Sequence, residues 1–205
     1  MTVEPGVGVG QDSDASVIER SWDEPETFAV LFDRHADSVH RYAARRLGAE
    51  AAEDVMAETF TTAFQQRFRY RTEAADARPW LFGIATNLIG RHRRAEARRL
   101  RTLGRLPPAA PGGPAEETVA DRVAARVSAQ AVRAELAGAL ARLPARHRDV
   151  LLLVAWADLG YDEVACALGV PVGTVRSRLH RARRKLREAL GGSDPTALRE
   201  ESDDE

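Results

Sequence analysis

Twenty-six residues near the C-terminal end, YDEVACALGVPVGTVRSRLHRARRKL, combine residue types able to read a nucleic acid. Counting from Tyr161, a small Ala165 lets two helices cross closely, Gly169 supplies a left-handed turn residue, and Val175 seals the second helix against the first. Pro171 can open that second helix, where its missing N–H costs little. Val175, Leu179, Ala182 and Leu186 step by four, three and four and mark a buried stripe, which leaves Arg176, Ser177, His180, Arg181 and Arg184 on other faces. The spacing is that of a helix-turn-helix. In such a unit the N-terminal half of the second helix enters the major groove, where arginine pairs bidentately with guanine. An arginine-rich amphipathic helix by itself is often only a solvated face; joined to the Ala, Gly and Val spacing, it points to DNA.

Charge supports that chemistry. The 205 residues carry a formal net charge of -1, but residues 1–26 hold seven acids and one Arg, and residues 193–205 hold six acids and one Arg. The stretch between them is left with a net charge of +10. Residues 67–105 contain eleven Arg against three acids, and residues 174–187 seven bases and no acid. Two basic stripes far apart in sequence suggest two footprints on a polyanion. Lys185 is the sole lysine, so nearly every cation is a planar guanidinium suited to phosphate or guanine. A GC-rich genome gives the same Arg bias.

The elements that must position these residues read as all-α. Aromatic residues are 6% of the chain, and Ala, Leu, Arg and Glu dominate. In FAVLFDRHADSVHRYAARRL, the residues Phe28, Leu31, Phe32, Val39, Tyr42, Ala43 and Leu47 recur at helical steps. In AEDVMAETFTTAFQQRF, Val55, Met56, Thr59, Phe60, Ala63 and Phe64 do the same, turning Glu53, Asp54, Ala57 and Glu58 outward. WLFGIATNLIGRHRRAEARRL begins apolar and ends basic. GRLPPAAPGGPA, with four prolines and three glycines, stops any helix and makes a tether. Beyond it, Val119, Val123 and Val127 form one stripe and Leu136, Leu140 and Leu143 another, with Pro144 before a buried helix around VLLLVAW. The expectation is two small helical domains joined by a Pro/Gly-rich linker, flanked by acidic tails that read as disordered.

Enzyme chemistry has little support. His35, His40, His92, His147 and His180 show no HExxH pair, and no glycine-rich phosphate loop or nucleophile elbow is present. No metal site and no cofactor are expected. One cysteine, Cys166, excludes an internal disulfide and reads as a small buried thiol in the first helix of the helix-turn-helix. The opening MTVEPGVGVGQDSD has neither basic start nor apolar run, and no stretch reaches transmembrane length. A soluble cytoplasmic protein with no membrane insertion is expected.

The run LPARHRDVLLLVAWADLGYDEVACALGVPVGTVRSRLHRARRKLREAL closely resembles the C-terminal promoter-reading domain of bacterial extracytoplasmic-function (ECF) sigma factors. Independently, AEDVMAETFTTAF resembles the family's helix that binds the RNA polymerase core, and RPWLFGIATNLIGRHRR its segment that melts and reads the minus-ten element. The matches cover roughly residues 27–190, and their order on either side of a Pro-rich joint also agrees. The resemblance implies an acidic tail over 1–26, a region 2 type domain over 27–103, a linker over 104–128, a region 4 type helix-turn-helix domain over 129–190, and a second acidic tail over 191–205.

Residue by residue, it implies that Asn87 contacts a minus-ten base flipped from the stack, the alternative being a surface or capping amide. Trp80, where the family keeps an aromatic, reads as core before stacking platform. Arg91, Arg93, Arg94, Arg98 and Arg99 would hold phosphates. Arg176, Ser177, His180 and Arg181 match minus-35 reading positions, and Thr174 and Arg184 complete the DNA-contacting set. Asp54 and Glu58 match acidic positions docking on the core, on its beta-prime subunit, the alternative being solvated helix charges. The family's usual Gln before that Glu is here Ala57, a departure that could weaken the core contact. The implied function is promoter-specific initiation: binding core polymerase, recognising minus-35 and minus-10 elements and melting the latter. Partners would be the core, promoter DNA and, in regulated members, an anti-sigma factor. An autonomous helix-turn-helix regulator acting without polymerase is the alternative.

Overall fold

In a computed structural model the described residues are 12–71, 74–102 and 134–190, with only the backbone of 100–102 described. All regular structure among them is helical, as the periodicity predicts. The described residues divide into two units, one of those up to Arg91 together with Cys166–Leu168, the other of those from His92 to Ala165 and from Gly169 on.

The first unit begins with α1 (Asp14–Arg20), a 3-10 turn (Pro25–Phe28), α2 (Ala29–Leu47) and α3 (Ala49–Gln66). Between the last two, Gly48 sits at φ 91°, where a side chain would be strained; its N–H ends α2 on Ala44 O at 2.9 Å and its carbonyl accepts from Ala52 N of α3 at 3.2 Å. A second 3-10 turn (Arg67–Arg69) leads towards α4 (Arg78–Thr102). The core is built from Leu31, Val39, Tyr42 and Ala43 of α2, Ala52, Val55, Phe60 and Ala63 of α3, and Leu81, Phe82, Ala85, Leu88 and Ile89 of α4. Edge-to-face ring pairs Phe28–Phe64, at 5.4 Å between centroids, and Tyr42–Phe82, at 5.2 Å, lock the helices together. Inside this core the Tyr42 hydroxyl meets Thr86 Oγ1 at 2.9 Å and accepts from Arg46 Nη1 at 2.8 Å, a polar link between α2 and α4.

The second unit contains the helix over 134–142 (α5), then α6 (Ala145–Ala157), α7 (Tyr161–Leu168) as far as Ala165, and α8 (Val172–Ala189). Pro144 lies where the sequence places a break, immediately before α6. Val150, Leu151, Leu152 and Leu153 are all buried, which confirms a helix covered on more than one face. Asp158 ends α6 at φ 54°, in the left-handed region that a short polar side chain tolerates.

Three expectations need correction. The tail over 1–26 is folded from residue 12 onward. Ser13 caps α1 by accepting from Ser16 N at 3.2 Å, and Val17 and Ile18 are completely buried. Seven acids hide one adjacent apolar pair, and tertiary packing rather than local periodicity makes this helix. Phe32, counted with the apolar stripe of α2, is 42% exposed, its ring edge-on to Phe60 at 5.0 Å. Cys166 is exposed because α7 turns Val164 and Ala165, not the following residue, into the core. The linker 104–128, the stripe of Val119, Val123 and Val127, the first residues of the 129–190 domain, and residues 1–11 and 191–205 lie outside the described residues.

Candidate nucleic-acid interface

The second unit presents the sharper surface. Gly169, at φ 61°, makes the left-handed turn after α7. Pro171 stands just outside α8, and its carbonyl accepts from Thr174 N at 2.8 Å and Val175 N at 3.2 Å, starting the helix without a side-chain cap. Val175, Leu179, Ala182 and Leu186 are all buried, the stripe that the spacing predicts. Arg176, Ser177, His180, Arg181 and Arg184 are exposed on the opposite side, while Thr174 is half-buried in the first turn. Residues at these spacings share one helix face. The Ser177 hydroxyl donates to Thr174 O at 3.0 Å, and Arg184 reaches Glu188 Oε1 at 3.5 Å across one turn in an exposed pair that costs little to break.

His147 lies at the start of α6, buried, with neither ring nitrogen hydrogen-bonded among the described residues. Burial first, then the cations Arg146, Lys185, Arg181 and Arg178, push its pKa below the ordinary histidine value. Three of these cations stand on α8, so the charge of that helix disfavours the protonated imidazole.

Helix α4, which belongs to the first unit as far as Arg91, changes character along its length. Its N-terminal half is core up to Ile89, apart from the exposed Asn87; from Arg91 on, the side chains are largely exposed. Asn87, Arg91, Arg94 and Arg98 follow one another at steps of four, three and four and so form a single stripe; Arg93 is half-buried and Arg99 exposed. Asp54 and Glu58 are exposed one turn apart on α3, with Ala57 beside them. Arg91 Nη1 and Glu58 Oε1 are 3.3 Å apart, joining one residue expected to hold phosphate to one expected to dock on polymerase. Both are more than half exposed, so either can exchange this partner for another. Trp80 is half-buried with its ring 4.9 Å from that of Tyr70.

One cation in the sequence count does other work. Arg67 is 8% exposed; its Nε donates to Ser21 O at 3.1 Å, its Nη1 to Phe64 O at 2.8 Å, and its guanidinium lies over the rings of Phe64 and Phe68 at 4.0 and 4.3 Å. It fastens the chain after α1 to the end of α3 and is withdrawn from the basic stripe.

Asp14, His35 and Asp76 bring ligand-type atoms within 4.8 Å of one another. Asp14 is already occupied: Oδ1 accepts from Arg34 Nη1 at 2.9 Å, and Oδ2 from His35 Nε2 at 2.7 Å and Ala77 N at 3.0 Å. Burial alone would raise its carboxyl, but the hydrogen bonds from His35, Ala77 and Arg34 outweigh burial and hold the pKa at about 2. The trio is closed by protein donors. The sequence reading does not single out this cluster; Ser13-Asp14 ahead of Val17 and Ile18, a capping pattern before an apolar step, is the signal that points to the helix carrying it.

The geometry has counterparts. Residues 31–99 match the family model of sigma-70 region 2, and residues 133–186 that of sigma-70 region 4. The ECF RNA polymerase sigma factor SigL of Mycobacterium tuberculosis is 38% identical over 168 residues, which cover 82% of this chain and 90% of SigL. This chain is an ECF sigma factor. Another ECF sigma factor, SigE of Mycolicibacterium smegmatis, is 36% identical over 172 residues, covering 83% of this chain and 62% of SigE. Among solved structures, CnrH in complex with the cytosolic domain of CnrY superposes with a TM-score of 0.60 at 25% identity, covering 89% of this chain and 99% of CnrH. In this sigma factor, all but the last turn of α4 lies within the region 2 match, and α7 with α8 as far as Leu186 within the region 4 match, in the order that the motifs predict. No helix among the described residues is long and apolar enough to cross a membrane.

Proposed function

We propose that this ECF sigma factor docks on the beta-prime subunit of core RNA polymerase through Asp54 and Glu58 of α3. It reads the minus-35 element with α8 and opens the minus-10 element with α4. On α8, Arg176, Ser177, His180 and Arg181, with Thr174 at the helix start, meet base edges, and Arg184 holds phosphate. On α4, Asn87 receives an extruded base while Arg91, Arg94 and Arg98 hold the strand's phosphates. The observation that carries this reading is the pairing of buried stripe and exposed polar face on α8: one edge is spent on the fold, which frees the other for a duplex. Asn87 supports the second step, being an exposed amide among buried neighbours at the point where α4 turns from apolar to basic. An amide can satisfy both the donor and the acceptor edge of a base, repaying an unstacking cost of a few kcal/mol. CnrH is bound by the cytosolic domain of CnrY in its structure, and a protein of that kind is the regulator proposed for this chain.

Run-off transcription with purified core polymerase on a genomic promoter library tests the whole reading and identifies the promoter. Asn87→Ala should leave closed complexes nearly intact and depress strand opening, with most of the loss recovered on a template whose minus-10 region is already unpaired. Normal permanganate reactivity of the minus-10 strand in that variant removes the base-contacting role. Tight, selective promoter binding by the free chain at near-physiological salt favours an autonomous regulator instead.

A further inference from the structure

The hydrogen bonds of Asp14 span three elements. The residue opens α1, Arg34 and His35 belong to α2, and Ala77 immediately precedes α4, where its carbonyl accepts the helix's first bond from Leu81 N at 3.0 Å. The described residues leading into α4 also bond to one another. The Tyr70 hydroxyl donates to Ala74 O at 2.6 Å and Asp76 O at 3.1 Å, the Tyr70 ring meets Trp80, and Asp76 Oδ1 accepts from Arg78 N at 2.8 Å. Local bonds of this kind shape a loop without fixing where it stands on the domain. Asp14 supplies that second requirement: it is buried and pinned by Arg34 and His35, and it accepts the backbone N–H of Ala77, the residue that precedes the helix. Its negative charge also faces the N-terminal end of α4, where the helix dipole favours it.

We propose that Asp14 is a positioning residue for promoter opening, holding the entry to α4, and through it the surface that precedes Asn87, in the geometry that receives an unpaired strand. This rests on the role given to α4 under Proposed function. A surface that must capture a base as it leaves the stack is effective only if it is ordered beforehand, because ordering it during capture subtracts from the energy available for unstacking. Asp14 touches no reacting group. Its contribution appears in opening, not in core binding or minus-35 contact.

The experiment uses the full chain, core polymerase, and two versions of one promoter, fully duplex and unpaired across the minus-10 element. For Asp14→Asn, which keeps the size but gives up an acceptor oxygen and the charge, opening of the duplex should fall about tenfold, the worth of a charge-assisted hydrogen bond. Transcription from the unpaired template and affinity for core should stay within about twofold on the same scale. Should that variant fail to fold by thermal unfolding, His35→Leu removes one of the three donors and leaves Asp14 in place; a smaller, few-fold loss, again confined to the duplex, is expected. Unchanged opening, or equal losses on both templates, overturns the proposal, since a purely structural role would lower the two together. A native chain that opens no promoter with core would sink the assignment of α4 itself, and this inference with it.

Discussion

At Asp14 three N–H donors oppose burial for control of one carboxyl, and the donors prevail. Because the folded pKa, about 2, lies below the ordinary 3.8, the unfolded chain binds the proton more readily. The stabilisation from this network is therefore complete above about pH 4 and is lost as the pH falls towards 2. Denaturant unfolding followed from pH 5 to pH 2 should show that loss in the native protein and a flatter profile in Asp14→Asn. Arginines sort by a different criterion. Arg176 and Arg181 face outward from the first half of α8, where base edges would be met, and Arg184 lies a turn farther on beside Glu188. Arg176→Ala should cost about 1–3 kcal/mol at particular minus-35 positions and relax preference there, whereas Arg184→Ala should weaken all sequences alike and reduce the salt slope by about one. Competition binding of holoenzyme against single-position promoter variants distinguishes the two. At this scale the sequence is least legible: Arg67 and Arg176 are the same letter, and only the ring stack and the carbonyls of Ser21 and Phe64 show that Arg67 holds structure.

A helix is legible when its own residues decide it. In α8 the buried stripe and the exposed face follow from spacing alone, and Leu179→Ala should lower the stability of the second unit by about 2–5 kcal/mol without touching the outward residues. Circular dichroism melts would register the loss. The turn was equally plain, since Gly169 is the residue type its backbone requires. For α1 the local signal is thin, because Val17 and Ile18 find their burial against other parts of the unit, which no short window contains. Titration belongs here too. The folded pKa of His147 is depressed, so the unfolded chain takes up the proton first, and stability that is complete above about pH 6.5 declines as the pH falls below it. Amide exchange in α6 and α8, corrected for intrinsic rates, should show weaker protection at pH 5.5 than at pH 7.5. His147→Leu should remove most of that difference.

For the molecule as a whole, two helical domains were visible in the sequence because two independent patterns stand on either side of a Pro/Gly-rich run, and a separate family model matches each. If the Pro/Gly-rich run acts as the tether that its composition implies, the spacing of the two readers is ordered on binding, at an entropic cost that core polymerase can remove. The free chain should therefore bind promoter duplex weakly and with strong salt dependence, becoming selective only with core; fluorescence anisotropy on matched and scrambled duplexes checks this. The placement of α1 matters for anyone shortening this chain. The region 2 match opens at Leu31, so a fragment trimmed to the family boundary would begin after Asp14, Val17 and Ile18. Such a fragment would bare the apolar surface that those residues cover and leave Arg34, His35 and the Ala77 amide without their shared acceptor. Poor solubility or lost activity in it would be an injury of the trimming, not a property of region 2.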